Sequence, residues 1–316
     1  MAPSRGRLLG YAFGAAAILL FLLHRQPSAE IAVRPAETAL KRRVAICISG
    51  ASRGDAALAA FAAALRTNLL DYQSAAHEFE LYAWLESPPA EAQLLKLLAP
   101  RTVSTRASVV VPPLLRQPED AAIAADHHGG RASARADAGG TNRLNTLRMM
   151  YKLRGVEYLR RQASSAHDLV LRIRPDLELL APLTLPPAHE QLEVWMAWRC
   201  DDDELASDQL LITTPAAAAE LAALYEPDVL DRAVSRSVPP SMYPERLVYQ
   251  HLCQNDRSTV GALAGVRVRL AGCEGEACGE HEVTPRDAFA KLRRDFPGCF
   301  ALAGEGEDAP GYSSIA

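Results

Sequence analysis

Short apolar runs alternate with longer stretches of helical periodicity from residue 44 onward. The apolar runs predict strands at residues 43–50, 78–87, 101–112, 167–179, 193–200, the first part of 208–226, and 266–270. The periodic stretches predict helices at residues 55–73, 89–100, 142–165, the second part of 208–226, 239–255, and near the end of the chain. This alternation predicts an α/β domain with a mostly parallel sheet over residues 44–300, followed by a flexible tail at 301–316.

The amino-terminal pattern differs from the rest of the chain. Residues 8–23 are apolar and uncharged and follow Arg5 and Arg7. We interpret residues 8–24 as a transmembrane signal anchor after a cytoplasmic tail of residues 1–7. A cleaved signal peptide and a buried helix are the alternatives. Residues 25–43 then form a stem, and the expected protein is a single-pass type II membrane protein of the Golgi with a lumenal domain.

Composition excludes one class of partner and permits an oxidising compartment. The 316 residues are 49% hydrophobic and 23% charged with a formal net charge of −4, so no broad basic face argues for nucleic acid. Of six cysteines, Cys273 and Cys278 are close enough to pair with each other or with Cys253 and Cys299. Their spacing is not the C-x-x-C of a zinc site, so we expect two disulfides or none.

Residues 112–140 are polar and rich in Ala, Gly and His, which is typical of a loop. His127 and His128 in this segment are either metal ligands or a solvated pair, and the solvated pair is the favoured interpretation.

Polar residues follow the first apolar strand in "CISGASRG". Ser49, Gly50 and Ser52 can offer backbone and hydroxyl donors, and Arg53 can offer a guanidinium group to a phosphate. The segment is neither a Walker motif nor a G-x-G-x-x-G fingerprint. The segment is therefore either a phosphate-binding turn or an ordinary turn between a strand and a helix.

A second polar group ends the strand in "RIRPDLEL". Arg172 and Arg174 lie two residues apart and therefore on one face of a strand, and Asp176 follows. A carboxylate beside arginines stays ionised and can hold a divalent cation, while the arginines can balance phosphate charge. The alternative is a structural ion pair that braces the scaffold.

Five phrases between residues 43 and 252 carry a family resemblance, namely "RVAICISGASRG", "FELYAWLE", "NTLRMMYKLRGVEYLRRQASSAHDLVLRIRPDLEL", "SDQLLITTPAAAAELAALYE" and "YPERLVYQHL". In order and spacing they resemble glycosyltransferase-like proteins of the GT-A kind. The resemblance implies a GT-A-like, Rossmann-like fold and transfer of a sugar from a nucleotide-sugar donor to a glycan or glycoprotein acceptor. A non-catalytic lumenal protein that retained this fold for glycan or partner binding is the second hypothesis.

The resemblance also implies site residues. Arg174 and Asp176 stand where better-known relatives carry Asp-x-Asp, so Asp176 is the expected contact to Mn²⁺ or Mg²⁺ and the first carboxylate is missing. Glu245 and Asp208 are the candidate catalytic residues, Asp201 is a further candidate for the base, and Glu245 is either the base or a helix cap. The nucleotide-sugar set is Ser49, Gly50, Arg53, Lys152, Arg172, Arg174, Asp176 and Gln209. Asp201 and Asp203 are an alternative metal pair, although a solvated acidic turn is favoured there.

Overall fold

The computed structural model describes residues 41–98, 108–110, 119–127, 143–163, 166–187, 193–197, 199–200, 204–237, 240–254, 258–263 and 266–270. These residues belong to one compact unit that begins at Lys41. The predicted anchor at residues 8–24 and the tail at 301–316 lie outside them. Within the described ranges, no helix has the length and apolar character needed to cross a membrane.

A mixed, mostly parallel sheet forms the centre of the described part of the chain. Its seven strands follow the order β10-β6-β9-β4-β1-β2-β3. The bounds are β1 Arg42–Gly50, β2 His77–Leu85, β3 Ser108–Val110, β4 Leu169–Ile173, β6 Val194–Met196, β9 Leu210–Thr213 and β10 Val260–Ala262. Strand β9 runs antiparallel to both neighbours, whereas β1 is parallel to β2 and β4. Two short antiparallel pairs lie apart, β5 Leu177–Leu179 with β11 Val268–Leu270, and β7 Arg199–Cys200 with β8 Leu205–Ala206.

Helices cover both faces of this sheet. Their bounds are α1 Asp55–Leu65, α2 Pro88–Leu98, α3 Glu119–Asp126, α4 Arg143–Gln162, α5 Pro215–Ala222, α6 Pro227–Arg236 and α7 Pro244–Val248. Wide π-helical segments Arg66–Asp71 and Tyr249–Cys253 extend α1 and α7, and a 3₁₀ turn Ala223–Tyr225 follows α5. The structure therefore confirms the α/β class and the mostly parallel sheet flanked by helices.

The two faces of the sheet bury separate parts of the core. Alternate residues of β1, such as Ile46 and Ile48, join Phe61 of α1 and Leu94 of α2 in one apolar cluster. The intervening residues point to the face covered by α4, where Cys47 joins a second cluster. Since strands buried on both faces read as continuous apolar runs, β1 was easy to find in the sequence.

The structure corrects four sequence predictions. The segment at residues 112–140 is not all loop, because α3 lies within it. His127, at the end of α3, is buried against the ring of Tyr225 and is not solvated, whereas His128 lies outside the described residues. The predicted strand 167–179 is two strands separated by a turn at residues 174–176, and the predicted strand 193–200 is likewise interrupted.

The predicted disulfide residues Cys273, Cys278 and Cys299 lie outside the described residues. Cys47 is a buried free thiol on β1, and burial raises its pKa.

Candidate functional site

A cleft of about 670 Å³ opens at the carboxyl ends of β1, β2 and β4. This is the edge at which open α/β sheets bind their ligands. Its described lining residues are Gly50, Ala51, Glu86, Glu119, Asp120, Asn145, Thr146, Arg148, Met149, Lys152, Arg174 and Pro244. The cleft therefore brings together the end of the first strand, the turn after β4, and the amino-terminal half of α4.

Asp176 lies behind this cleft and is held by two arginines. Arg174 donates from Nε to Oδ1 at 2.9 Å and from Nη2 to Oδ2 at 2.7 Å, and Arg53 donates from Nε to Oδ2 at 2.7 Å. Burial alone would raise the pKa of Asp176, but these guanidinium groups outweigh burial and hold that pKa below its usual value. The structural ion pair considered from the sequence is thus present. Arg174 takes part in this pair and also lines the cleft.

Two further carboxylates act on Arg174. Asp208 Oδ2 lies 3.6 Å from its Nη1, and Glu245 of α7 is close enough to influence its charge. Burial alone would lower the pKa of Arg174, but Asp176 and Asp208 outweigh that effect and raise it. Glu245 is the second residue of α7, whose N-cap is Tyr243, so Glu245 does not occupy the cap position. The two candidate catalytic carboxylates therefore share one cationic neighbour.

Arg172 lies deeper in the same region. It stands beside Cys47 and Leu211 in the sheet and is only 3% exposed. None of its three guanidinium nitrogens donates a hydrogen bond to any described residue. Burial lowers the pKa of Arg172 to about 10, so the group remains charged at neutral pH. A buried cation without an acceptor is costly and calls for a ligand, a water molecule or an ion as its partner.

Other buried polar atoms accompany Arg172. Among the described residues, both carboxylate oxygens of Asp208, Oε1 of Gln209 and Oγ of Ser49 lack a hydrogen-bond partner. Gln209 also accepts, through its backbone oxygen, the amide hydrogen of Arg174 at 3.1 Å. The strand ends therefore present polar groups that the described fold leaves unsatisfied.

The turn between β1 and α1 is more constrained than its sequence indicated. Gly50 has φ +145°, and a Cβ there would lie 3.0 Å from Cδ of Pro175. Arg53 has φ 53°, an unusual value for a non-glycine residue, and this geometry accompanies its contact with Asp176. Ser52 donates from both its amide and hydroxyl groups to Glu86, with the hydroxyl at 2.5 Å. The carboxylate of Glu86 thus accepts the hydrogen bonds that Ser52 would otherwise donate to a bound phosphate.

The opposite wall of the cleft carries two cations of α4. Lys152 is 5% exposed and donates to Glu119 at 2.7 Å. Arg148 donates twice to Asp120, at 2.8 Å each. Because both acids belong to α3, that helix neutralises the two cations that face the cleft.

The structure brings most of the predicted site residues to one region. Gly50, Lys152 and Arg174 line the cleft, and electrostatic or hydrogen-bonding contacts link Arg53, Arg172, Asp176, Asp208, Gln209 and Glu245 to Arg174 or Asp176. Ser49 is buried at the end of β1, and Asp201 and Asp203 lie outside the described residues.

Sequence reasoning missed the lining residues Arg148, Glu86, Glu119 and Asp120. Arg148 precedes Lys152 by four residues and so shares its helix face, which was a usable signal. Glu86 follows an apolar strand, in the same position as the strand-end residues that were selected. The acids of α3 gave no signal because their segment had the composition of a loop.

The resemblance implies Mn²⁺ or Mg²⁺ at Asp176, and the described donor set does not fit that expectation. Both oxygens of Asp176 accept hydrogen bonds from guanidinium groups. Within the described ranges, no group of three or more His, Cys, Asp or Glu side chains is arranged to hold a metal ion. A cation at Asp176 would have to displace two positively charged partners.

Comparison with known proteins finds similarity to solved structures. The chain is similar to the crystal structure of mouse xyloside xylosyltransferase 1 in its apo form, with a TM-score of 0.44 and 8% sequence identity. The similarity covers 71% of this chain and 84% of that chain. No protein-family model matches the sequence, and no curated protein matches it.

Proposed function

We propose that this protein is a GT-A-like glycosyltransferase that moves a sugar from a nucleotide-sugar donor to a glycan or glycoprotein acceptor. The observation that carries the proposal is the cleft at the carboxyl ends of β1, β2 and β4, with Arg174 at its edge and Arg148 and Lys152 on its wall. Its volume of about 670 Å³ falls in the range of small-molecule sites. The proposal retains a membrane anchor at residues 8–24 and a Golgi lumenal location.

The reaction needs positive charge on one side of the sugar and a carboxylate on the other. The bond between C1 of the sugar and the phosphate oxygen breaks, and its electron pair stays on the diphosphate. The acceptor hydroxyl oxygen forms the new bond to C1. Its proton passes to a carboxylate if the reaction inverts configuration at C1. Arginine donors stabilise the charge that develops on the leaving diphosphate.

Glu245 and Asp208 are the candidates for that carboxylate. Both act on Arg174, so a base at either position would lie close to the group that faces the diphosphate. Both side chains are mostly buried, with Glu245 7% and Asp208 2% exposed. The chemistry thus requires only residues that the fold already gathers around Arg174.

One observation favours a second function, the binding of a glycan or a nucleotide without catalysis. Because Asp176 is engaged by Arg174 and Arg53, its carboxylate acts as a brace in the described structure. A protein that binds a glycan or a nucleotide without catalysis would keep such a brace and would not need a base. Binding without turnover would distinguish this function from transfer.

The test uses the full chain in mild detergent with a panel of UDP-, GDP-, ADP- and dTDP-sugars. We expect one donor to raise the melting temperature, since a ligand at 100 times its Kd stabilises by about 2.7 kcal/mol. We also expect that donor to be hydrolysed or transferred, with the products followed by NMR. Replacement of the true base by Glu245→Gln or Asp208→Asn should lower turnover by about 10²–10⁴ and leave binding in place.

The control is Arg232→Gln, which changes an exposed residue of α6. A panel in which no donor shifts the melting temperature contradicts the proposal. A donor that binds and is neither hydrolysed nor transferred supports the non-catalytic alternative.

A further inference from the structure

We infer that guanidinium groups, chiefly those of Arg174 and Arg172, hold the diphosphate of the donor in place of a divalent cation. This inference rests on the proposed function and concerns how the same cleft meets the charge of its ligand.

Asp176 is a positioning residue in this account. Three N–H donors from Arg174 and Arg53 reach its two oxygens, and the side chain is 1% exposed. The two-point contact fixes the plane of the Arg174 guanidinium, because paired parallel hydrogen bonds leave it little freedom to rotate. The carboxylate is therefore used to orient a cation that faces the cleft.

Arg174 retains one nitrogen for a ligand. Its Nε and Nη2 are bound to Asp176, while Nη1 lies 3.6 Å from Asp208 Oδ2, beyond hydrogen-bond distance. The side chain is 22% exposed and lines the cleft. A phosphate oxygen that reaches Nη1 would complete the donors of a guanidinium already held in place.

Arg172 supplies the independent observation. Its Nε, Nη1 and Nη2 find no acceptor among the described residues, although it is 3% exposed. Asp208 and Asp176 stabilise its charge from nearby without hydrogen bonding to it. An anion at this end of the sheet would provide the acceptors that the charge lacks, either directly or through one water molecule.

The balance of charge around Arg174 is consistent with arginines in the place of a divalent cation. Three arginines (Arg53, Arg172 and Arg174) face three carboxylates (Asp176, Asp208 and Glu245). A site with two carboxylates and one divalent cation would carry the same formal charge. The diphosphate would thus meet a region of similar charge whose positive groups are built into the chain.

The experiment measures binding of nucleoside diphosphates to the full chain in detergent by isothermal titration calorimetry. UDP, GDP, ADP, CDP and dTDP are titrated in excess EDTA and, separately, with MnCl₂. We expect the Kd of the best ligand to agree within about twofold between the two conditions, because the protein's own cations bind the diphosphate. This comparison needs no variant, so misfolding cannot affect it.

Variants then assign the binding to the arginines. Arg174→Gln should raise the Kd in EDTA about 10- to 100-fold, the range expected for loss of a charged hydrogen bond. Arg172→Lys keeps the charge but loses the planar donor set, and should raise the Kd about 10-fold. Arg232→Gln is the matched control and should leave the Kd unchanged. Circular dichroism and the melting temperature check that each variant folds.

Three results would overturn the inference, and they can be distinguished from one another. Binding that requires MnCl₂ and vanishes in EDTA overturns the inference that arginines replace the cation, and it leaves the proposed glycosyltransferase function standing. No binding in either condition overturns both. An equal Kd in Arg174→Gln and the unaltered chain also overturns the inference, because the ligand then lies elsewhere.

Discussion

Arg174 binds Asp176, two residues further along the chain, through two hydrogen bonds, from Nε to Oδ1 at 2.9 Å and from Nη2 to Oδ2 at 2.7 Å. Pro175 lies between them and packs against Gly50, where a Cβ would lie 3.0 Å away. The turn at residues 174–176 separates β4 from β5, and Arg174 lines the cleft together with Gly50 at the end of β1. The same contact stabilises the fold and orients the guanidinium that we propose binds the donor.

The first prediction concerns the stability that Asp176 provides. Asp176→Asn should lower the free energy of unfolding by about 1–3 kcal/mol at pH 7, because Arg174 and Arg53 lose a buried anionic acceptor. Urea denaturation followed by circular dichroism measures the change. Arg232→Gln on α6 should change the free energy by less than about 0.5 kcal/mol.

The pH dependence of this difference has a defined sign. The native pKa of Asp176 is depressed, so its stabilisation is fully present above the unfolded value of about 4 and is lost as pH falls through the native pKa. The gap between the unaltered chain and Asp176→Asn should therefore narrow below about pH 4. A gap that stays constant down to pH 3 would contradict the ion-pair assignment.

A second prediction comes from three buried histidines. Burial lowers the pKa values of His77, His127 and His167. The unfolded chain therefore binds protons more readily below about pH 6.5, and the free energy of unfolding should fall as pH drops from 7.5 to 5.

The variant His127→Phe tests whether His127 contributes to this pH dependence of stability. Phe keeps the edge-to-face contact with Tyr225, whose ring centroid lies 4.7 Å away, and cannot titrate. The slope of stability against pH, from urea denaturation at several pH values, should be shallower in this variant. Tyr72→Phe, at an exposed position, should keep the original slope. Identical slopes in all three proteins would show that His127 does not contribute.

A third prediction concerns the contact between α4 and β2. A Cβ at Gly155 would lie 2.4 Å from Cδ2 of Trp84, so the helix approaches the sheet more closely than any side chain permits. Gly155→Ala should destabilise the protein by about 1–3 kcal/mol despite its gain in helix propensity. Arg161→Ala, at an exposed position of the same helix, should be close to neutral. A stabilised Gly155→Ala variant would contradict the packing.

A fourth prediction tests the acids of α3. Glu119 and Asp120 neutralise Lys152 and Arg148 on the cleft wall. The double change Glu119→Gln with Asp120→Asn should tighten nucleoside diphosphate binding by about 3- to 10-fold at low salt, and the gain should shrink as salt is added. Calorimetry at two ionic strengths measures this. Weaker binding would mean that the acids are needed to hold the cations in place.

Local sequence patterns predicted much of the fold. The first strand is apolar on both faces and ends at Ser49 and Gly50, and α4 has a long amphipathic repeat, so both were found close to their observed bounds. The helix α3 was missed because its Ala-rich, acidic sequence is stabilised by tertiary partners, notably Arg148 and Lys152. Tertiary contacts of this kind leave no mark on local periodicity.

The candidate site was likewise predictable only in part, because its residues could be selected from the sequence but most of their contacts could not. Strand-end residues Arg172, Arg174 and Asp176 were identifiable because charge is unusual at the end of a buried strand. An ion pair between Asp176 and its neighbouring arginines was one of the two alternatives, but the participation of Arg53 was not identifiable, since it depends on the unusual φ of Arg53. The role of Glu86 as acceptor for Ser52 likewise depends on two strands whose ends meet only in the folded chain.

A crystal structure of the full chain with UDP or GDP would show whether Arg174 holds the diphosphate. We expect diphosphate oxygens in the cleft within hydrogen-bond distance of Nη1 of Arg174, with Asp176 still bound to Arg174 and Arg53. A nucleotide bound elsewhere, with Arg174 in contact only with Asp176 and Asp208, would contradict this expectation.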